Sequence, residues 1–503
     1  MRLLKPSWLH HDGNPIFSID IHPDDTRVVT GGQGNDSVGR VVIWNMQPIL
    51  SKEEDATVPK LLCQLDHHNA CVNCVRWSNS GKSLCSGGDD RVIIVWKLVS
   101  RFSGNVSTTA QNSAFGKTNL EQWKPSCMLR SHTGDILDLA WSPGDRYLAS
   151  ASVDNTVIVW DAQKFPQIVT TLKEHNSLVK GVTWDPVGKY LASQSDDKTL
   201  KIWRVSDWEL EHSVQDPFVE CGGTTHVLRL DWSPDGSYLV SAHAMNGGGP
   251  TAHILQRTEW KTNKDFVGHR KAVVCVKFNN NILQSDNSRM QHCCVALGSR
   301  DRSVSIWSTA LKRPLVVIKD LFTNSVMDLS WSSCGTVMMA CSWDGSVAVA
   351  QFSWKEIGKP LSPEEKANFY HKQYGKSAVS ENCDIIQNLE VFLAKSKVVP
   401  SSGAVENSRI TPEGVVEVIP QPERVVKGPI DKQIETRTAD GRRRITPKFL
   451  LPPTDGEQAV TTKSTFFNAL QQSLTVPPFR TSEFKIPSWI VENHRRSQVE
   501  ETY

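Results

Sequence analysis

The chain of 503 residues lacks any apolar run of the length that a membrane-spanning helix needs, about 18 residues or more. It also lacks an excess of either charge, because its formal net charge is only +2. A nearly neutral protein has no overall electrostatic field that would attract nucleic acid or anionic lipid. The N-terminus has no long apolar stretch, so a signal peptide is not predicted. We therefore expect a soluble intracellular protein.

Motifs of metal and nucleotide chemistry are lacking as well. Twelve cysteines are present, but most lie in apolar, strand-like segments that are typical of buried free thiols. Cys71 and Cys74 have C-x-x-C spacing, yet no second Cys or His pair follows at zinc-ribbon distance. The glycine-rich stretch 31–39 contains no Gly-Lys-Ser/Thr and opens no helix, so it does not predict a phosphate loop. Neither a cofactor nor a metal site is predicted.

What the sequence does contain is a repeat. The segment 148–160 (LASASVDNTVIVW) returns as 191–203 (LASQSDDKTLKIW), 43 residues later. A fixed period of this size is typical of one supersecondary unit copied many times. A strand-like phrase that ends in Trp-Ser-Pro or a variant of it marks seven copies, which end at Ile21, Trp77, Trp141, Trp184, Trp232, Phe278 and Trp331. Gly and Asp turns between short Val/Ile/Leu/Thr runs indicate antiparallel strands.

Seven copies of a four-stranded unit predict an all-β fold, a seven-bladed β-propeller. The copies resemble WD repeats, which combine a Gly-His pair, an Asp in a tight turn and a closing Trp. Sixteen of the seventeen tryptophans lie before residue 355, so the propeller is predicted over 1–355. Residues 1–9 are expected to supply the outer strand of the last blade and to close the ring. Blades five and seven lack the closing Trp and are expected to be looser or to carry altered loops.

Polar composition predicts surface loops in three segments, 46–60, 99–121 and 279–290. Beyond the propeller, we predict a short helix and a disordered linker over 356–430, a hairpin motif over 431–450 and a disordered tail over 451–503. The helix is predicted from a capping box, Ser362-Pro-Glu-Glu365, with proline at its first position.

Ser, His and Asp recur in each repeat and suggest a hydrolase at first sight. We predict structural tetrads instead, in which a hydrogen-bonded chain runs from Trp through Ser and His to Asp. The set recurs in blade after blade, whereas an enzyme needs one site. The clearest sets are His132, Ser150, Asp154 and Trp160 in blade three, and His175, Ser193, Asp197 and Trp203 in blade four. No catalytic residue is predicted, and the protein is not expected to be an enzyme.

The hairpin motif is the one sharp feature of the tail. Asp440-Gly441 predicts a two-residue turn between the strand-prone segments 434–438 and 442–446. An isolated hairpin is marginal in water, so this one is expected to form against the free sheet edge of a partner. Residues 431–448 hold six Lys or Arg against three Asp or Glu, which favours an acidic partner. The predicted partner-binding residues are Arg442, Arg443, Arg444, Ile445, Thr446 and Pro447.

Two other interpretations of the arginines stay open: a solvated basic run or part of a nuclear import signal, and a nucleic-acid arm. Glu435 and Asp440 weaken the second, because acids repel phosphates. Direct contact with DNA is left open.

Several phrases resemble the histone regulator A (HIRA) family of WD-repeat histone chaperones. They include 17–23 (FSIDIHP), 71–81 (CVNCVRWSNSG), 220–229 (ECGGTTHVLR) and 435–447 (ETRTADGRRRITP). The resemblance implies a nuclear scaffold for replication-independent nucleosome assembly and for chromatin and transcription regulation, including repression. It also implies that the hairpin binds an anti-silencing-function histone chaperone, with Arg444 as the pairing arginine and Ile445 as the groove anchor. A ubinuclein-type subunit would bind the propeller, and core histones would be held indirectly.

An alternative of a different class is a substrate receptor of a cullin-type ubiquitin ligase. WD propellers serve there through a Trp-Asp-x-Arg phrase at the edge of a blade. The nearest match in this chain is Trp160-Asp-Ala-Gln163, which lacks the arginine. The alternative therefore rests on analogy of fold alone.

Overall fold

The computed structural model describes residues 1–35, 38–51, 57–99, 119–261, 264–285 and 290–375, and the backbone of 435–437 and 443–445. The chain forms two compact units, Met1–Ser402 and Gly403–Tyr503. Among the described residues, no helix is long and apolar enough to cross a membrane.

Antiparallel sheets make up most of the first unit. The chain opens with β1 (Arg2–Leu4), which joins the last sheet. Blade 1 contains β2 (Ile16–Ile21), β3 (Arg27–Gln33), β4 (Gly39–Asn45) and β5 (Leu61–His68), with α1 (Met46–Leu50) after β4. Blade 2 contains β6 (Val72–Trp77), β7 (Ser83–Gly88), β8 (Ile93–Leu98) and β9 (Trp123–Leu129). Blade 3 contains β10 (Ile136–Trp141), β11 (Tyr147–Ser152), β12 (Val157–Asp161) and β13 (Ile168–Leu172).

The next two blades differ in regularity. Blade 4 contains β14 (Val179–Trp184), β15 (Tyr190–Ser195), β16 (Leu200–Arg204) and β17 (Leu210–Val214). Blade 5 contains β18 (Asp231–Trp232), β19 (Tyr238–Val240), β20 (Ala244–Asn246), β21 (Gly249–Gln256) and β22 (Asp265–Phe266).

The last two blades complete the set. Blade 6 contains β23 (Val273–Phe278), β26 (Cys294–Ser299), β27 (Val304–Ser308) and β28 (Val316–Ile318), and the short strands β24 (Leu283–Gln284) and β25 (Gln291–His292) are inserted after β23. Blade 7 contains β29 (Val326–Trp331), β30 (Val337–Ser342) and β31 (Val347–Gln351). They are followed by α2 (Trp354–Ile357), β32 (Lys359–Pro360) and α3 (Pro363–Tyr374).

The inner strands form a closed ring. Each of β2, β6, β10, β14, β18, β23 and β29 contacts the next one, and β29 contacts β2. The predicted all-β fold with seven blades is therefore confirmed. Because the blades stack face to face, their strands are apolar on both sides, and most core clusters join two neighbouring blades. Val29 and Ile43 of blade 1, for example, share a cluster with Val75 and Leu84 of blade 2.

The ring is closed by the N-terminus, as predicted. Strand β1 pairs antiparallel with β31, with Arg2 opposite Gln351 and Leu4 opposite Val349. Leu9 follows β1 and is 1% exposed, so it anchors this segment in the core between blades 7 and 1. The pairing removes the free edge that β31 would otherwise present.

Blade 5 is irregular, as expected from its missing Trp. Its inner strand has two residues where blades 1–4, 6 and 7 have six. The glycines 247–249 belong to a hairpin in which β20 pairs with the first half of β21, while β19 pairs with the second half. Blade 7 has regular strands, and its buried Phe352 contacts Trp331 at a ring-centroid distance of 5.9 Å. The predicted irregularity is thus seen in blade 5 and not in blade 7.

Two of the predicted surface loops need correction. Residues 46–50 form α1, with Asn45 as N-cap and with Met46 and Ile49 buried. In the segment 279–290, Ile282 and Leu283 are buried, and β24 pairs with both β25 and β32. The apolar pair within an Asn/Ser-rich stretch explains this outcome, because it provides a small buried face for the additional sheet. Most of 99–121 lies outside the described residues.

The predicted helix is confirmed as α3. The Ser362 side chain accepts a hydrogen bond from the Glu365 amide and closes the capping box. Tyr370 and Tyr374 are buried and donate hydrogen bonds to the carbonyls of Pro234 and Asp235 in blade 5. The helix therefore packs on the propeller, although it lies beyond the predicted boundary at 355. The remaining linker and the tail 451–503 lie outside the described residues.

In the second unit, β33 (Glu435–Arg437) pairs antiparallel with β34 (Arg443–Ile445), which confirms the hairpin. The predicted two-residue turn is wrong. Arg437 lies opposite Arg443, which leaves the five residues 438–442 between the strands. A turn at Asp440-Gly441 would place Arg437 opposite Arg444 instead. Odd-numbered loops with glycine are also common in hairpins, so an Asp-Gly pair does not fix the register.

We expect deletion of residues 1–8 to destabilise the propeller, because the edge of β31 becomes exposed. The free energy of unfolding should fall by about 2–4 kcal/mol, since each ladder hydrogen bond contributes about 0.5–1.5 kcal/mol. Urea denaturation measures this loss, and size-exclusion chromatography should show oligomers joined at the exposed edge. The control Leu3→Ser changes a 43% exposed side chain and keeps the backbone pairing. Equal stability of the deletion variant and the parent would contradict the closing role of β1.

Candidate functional site

The structure brings the members of both predicted tetrads together. In blade 3, Trp160 Nε1 donates to Ser150 Oγ at 3.0 Å, Ser150 lies 2.8 Å from His132 Nε2, and His132 Nδ1 lies 2.9 Å from Asp154. In blade 4, the matching distances for Trp203, Ser193, His175 and Asp197 are 2.9, 2.7 and 2.8 Å. An ionised carboxylate can only accept a hydrogen bond. We therefore assign the ring proton of His132 and of His175 to Nδ1, which donates to the aspartate.

Three other blades carry versions of the same chain. Blade 2 joins Trp96, Ser86, His68 and Asp90. Blade 6 joins Trp307, Ser305, His269 and Asp301, but Ser305 comes from the third strand and not the second. Blade 1 uses a threonine, because Thr30 accepts from Trp44 at 2.8 Å and lies 2.9 Å from His11. The second His of each His-His pair is thus a tetrad member.

The electrostatics of the tetrads are those of structural groups. Burial opposes ionisation of Asp154, but hydrogen bonds from His132 and Thr156 outweigh it and hold the pKa of Asp154 below its ordinary value. Asp197 has a lowered pKa for the same reasons, with His175 and Thr199 as donors. Ser150 and Ser193 are 0% exposed, so neither hydroxyl can reach a substrate. In blade 1, burial and the charge of Arg40 lower the pKa of His11 to about 3.

The channel at the ring centre is lined by two layers of residues, which come from the inner strands and from the segment just before β18. The first layer lies three residues before the residue that ends each copy, and it consists of Ser18, Cys74, Asp138, Gly181, Arg229, Cys275 and Asp328. The second layer lies one residue before that end and consists of Asp20, Arg76, Ala140, Thr183, Asp231, Lys277 and Ser330. The sequence positions of both layers follow directly from the repeat.

Arg229 occupies the first layer and is 3% exposed. Its Nη1 donates to the carbonyls of Phe17 and Met327 at 2.9 and 2.8 Å, and its Nη2 donates to that of Asn73 at 2.7 Å. Its Nε donates to Asp138 at 3.2 Å, and Nη1 lies 3.6 Å from Asp328. One guanidinium of blade 5 therefore binds blades 1, 2, 3 and 7.

Arg76 completes this ion network. Its Nη1 donates to Asp328 at 2.7 Å, and its Nη2 lies 3.4 Å from Asp138. Burial opposes ionisation of Asp328, but the charges of Arg229 and Arg76 outweigh it and lower the pKa of that carboxyl. The two arginines and the two aspartates thus balance each other inside the ring.

The segment before β18 brings Arg229 to the centre. It is the end of the phrase 220–229, and Arg229 forms a parallel bridge with Cys275 of blade 6. Leu228 crosses so close to blade 4 that a Cβ on Gly181 would lie 1.7 Å from its carbonyl oxygen. Gly181 is therefore the residue that makes room for this central segment.

The predicted partner-binding residues in the tail are placed only in part. Arg443, Arg444 and Ile445 form β34, where Ile445 lies opposite Glu435 and Arg444 opposite Thr436. Arg442, Thr446 and Pro447 lie outside the described residues. Within the described part of the chain, no group of His, Cys, Asp or Glu side chains is arranged to hold a metal ion.

The motifs described above do not predict the channel network of Arg229, Asp138 and Asp328. Aligning the seven copies at their last residue would have shown one arginine and two acids at the same position. That pattern is a signal of a charged layer within a ring of otherwise apolar strands.

A ring of seven antiparallel blades, four of which carry a Trp–Ser–His–Asp chain, defines a WD-repeat β-propeller protein. The CAF1B/HIR1 beta-propeller domain model matches residues 1–223, and the WD domain, G-beta repeat, matches 219–247 and 316–349. The chain is 53% identical to Protein HIRA of Gallus gallus over 95% of its length, and 53% identical to Protein HIRA of Homo sapiens over 94%. It is 54% identical to the Protein HIRA homolog of Drosophila melanogaster over 91%.

This chain belongs to the HIRA family. It spans about half the length of the curated relatives that it matches, 48% of the chicken and human proteins and 43% of the fly protein.

We expect Arg229→Met to lower the free energy of unfolding by about 3–5 kcal/mol. The substitution removes one of the two arginines that neutralise Asp138 and Asp328, and it removes the hydrogen-bond donor of three backbone carbonyls. The matched control is Arg302→Met, which removes an exposed ion pair with Asp320 and should cost less than about 1 kcal/mol. Guanidinium denaturation measures both. Similar losses in the two variants would contradict a special role for Arg229.

The low pKa of His11 predicts a pH dependence of stability. In the unfolded chain His11 takes up a proton near its ordinary value of 6.5, but in the folded chain only near 3. Stability is therefore full above pH 6.5 and falls as the pH drops through this window. At pH 5 the loss should be about 2 kcal/mol. Urea midpoints at pH 7.5 and 5.0 should differ less in His11→Gln than in the parent, and an unchanged difference would disprove this assignment. Exposed His10→Gln is the control.

Proposed function

We propose that this chain is a histone-chaperone scaffold, in which the propeller is the structural platform and the hairpin recruits an acidic partner. Membership of the HIRA family supports the role, since that family is one of chromatin regulators that act in the nucleus. In this proposal the scaffold serves nucleosome assembly outside replication and is not an enzyme.

The observation that carries the proposal is the pairing of β33 with β34. The two strands have three residues each and form a sheet of their own. A sheet this small buries too little to be stable alone, so docking on another sheet is the way to stabilise it. Backbone hydrogen bonds to a free strand edge would then provide affinity, and side chains would provide selectivity.

The chemistry of the hairpin selects the partner. Six basic against three acidic residues in 431–448 favour an acidic surface. The resemblance to the family's corresponding segment points to an anti-silencing-function histone chaperone, with Arg444 pairing a carboxylate and Ile445 filling an apolar groove. Core histones would arrive on that partner, and a ubinuclein-type subunit would bind the propeller.

No observation favours the ubiquitin-ligase alternative. Gln163 stands where the adaptor-binding arginine is required, and its backbone N–H donates a hydrogen bond to the Asp161 carboxylate at 3.0 Å. The hydroxyls that a hydrolase would use are enclosed in the tetrads.

We expect Ile445→Asp to weaken binding of the full chain to a recombinant anti-silencing-function chaperone by about 10–150-fold. The estimate follows from about 1.5–3 kcal/mol for burial of an isoleucine side chain. Arg444→Ala should act in the same direction. Isothermal titration calorimetry measures the dissociation constants, and the melting temperature reports whether the propeller stays folded.

The matched control is Ile430→Asp, the same substitution outside the hairpin strands. It should bind as the parent does. Full-strength binding by both Ile445→Asp and Arg444→Ala would refute the proposed docking mode.

A further inference from the structure

Blade 6 differs from its neighbours in the loop that follows its third strand, β27. In blades 3, 4 and 5 the corresponding loop carries an aromatic residue that folds back onto the tryptophan at the end of the inner strand. These contacts are Phe165–Trp141, Trp208–Trp184 and Trp260–Trp232, with ring-centroid distances of 6.2, 6.1 and 6.0 Å. The loop of blade 6, residues 309–315, contains no aromatic residue, and its Leu311 is 54% exposed. This loop therefore presents an apolar side chain to solvent where three other blades bury one.

The loop lies beside the end of the inserted strand β25. The Cys293 N–H donates to Thr309 Oγ1, and the Thr309 N–H donates to the Cys293 carbonyl, both at 2.9 Å. Met290 lies just before this junction and is 58% exposed, and Leu311 lies just after it. Two of the most exposed large apolar side chains of the described residues thus leave blade 6 at the same end.

Helix α2 borders the same area. Its Ile357 belongs to one core cluster with Leu315 at the end of the loop, and the Ile357 carbonyl lies 2.9 Å from His292 Nε2 in β25. The first residue of this helix, Trp354, is 49% exposed. Apolar side chains that are scattered singly over a surface are ordinary, but several that share one area are typical of an interaction site.

The charges of this area are almost all positive. Residues 290–294, 309–315 and 352–360 contain four cations, Lys312, Arg313, Lys355 and Lys359, and one acid, Glu356. The carboxylate of Glu356 is already occupied, because it accepts from the amino group of Met1 and from the N–H of Ser353.

Two of these cations are available to a partner. Lys312 and Arg313 are exposed and form no ion pair among the described residues. A carboxylate can therefore reach them without displacing another acid. We call Met290, 311–313, Trp354 and Lys355 the blade 6 patch.

We propose that the blade 6 patch binds an acidic peptide segment that carries apolar side chains. Its carboxylates would pair with Lys312 and Arg313, and its apolar side chains would cover Leu311 and the other exposed apolar residues of the patch. A nucleic acid would use the cations through its phosphates and leave the aliphatic side chains uncovered. A partner with both features uses the whole patch. The inference goes beyond the proposed function and does not rest on it, because the hairpin plays no part.

The probe is the peptide fluorescein-Glu-Glu-Leu-Phe-Glu-Glu-Leu-Leu-amide, titrated with the full chain and followed by fluorescence anisotropy. One counterpart has serine in place of every apolar residue and keeps the charge, and a second has lysine in place of every glutamate. Fluorescein-labelled oligothymidylate tests binding through phosphates alone. The acidic apolar peptide should bind about tenfold more tightly than each of the other three.

A double variant tests the cations. Lys312→Glu/Arg313→Glu should weaken binding of the acidic apolar peptide by about tenfold or more. The matched control is Arg270→Glu/Lys271→Glu, which makes the same change of charge at exposed residues before β23, at the opposite end of the same blade. The control should change binding by less than about twofold.

A second pair of variants tests the apolar contact. Leu311→Ser should weaken binding by about tenfold, and Val267→Ser, a change at a 57% exposed residue before β23, by less than about twofold. Because all of the changed side chains are exposed, the melting temperatures should stay at the value of the parent.

Arg444→Ala separates this site from the basic hairpin and should bind the probe as the parent does. Parent-like binding by Lys312→Glu/Arg313→Glu would overturn the proposal, as would a parent that does not bind the probe. Binding of the serine peptide or of oligothymidylate as tight as that of the probe would also overturn it.

Discussion

The ring depends on a single guanidinium at its centre. In a circular array of repeats each blade contacts only its two neighbours, so neighbour contacts alone fix the diameter of the ring weakly. Arg229 adds bonds between blade 5 and the carbonyls of Phe17, Asn73 and Met327 in blades that it does not adjoin. A buried ion network of this kind contributes more to the uniqueness of an arrangement than to its stability. The network joins blade 5 to blades 1, 2, 3 and 7 across the channel.

The irregularity of blade 5 and the central network are two aspects of one feature. A regular inner strand would keep the backbone of 226–230 in the blade, but here β18 retains only two residues. The rest crosses toward blade 6, where Arg229 bridges to Cys275. Blade 5 therefore gives up part of its ladder, while the four tetrads that end in aspartate make their own blades rigid. The loss in one blade is offset by bonds to four others.

Much of the fold could be predicted from the sequence, because blades 3 and 4 repeat at a spacing of 43 residues and the strand-ending phrase recurs in the other five copies. Other features could not be predicted, because the same interaction is made by a residue at a different position in the chain. Ser305 replaces a serine of the neighbouring strand, since Leu297 now occupies that register position. The pairing of β24 with β32 joins segments far apart in sequence. The hairpin register depended on loop length, which Asp440-Gly441 does not determine.

Ring closure also has a consequence for synthesis. Strand β1 emerges from the ribosome well before its partner strand β31, which ends at Gln351. At about 5–20 residues per second, roughly 20–70 s separate the two. Near the end of that interval the newborn chain holds six blades, while its segment β1 still lacks the strand with which it pairs. Segment β1 is therefore the part of the chain that most needs a chaperone during synthesis. A circularly permuted chain that begins between two blades would need less assistance.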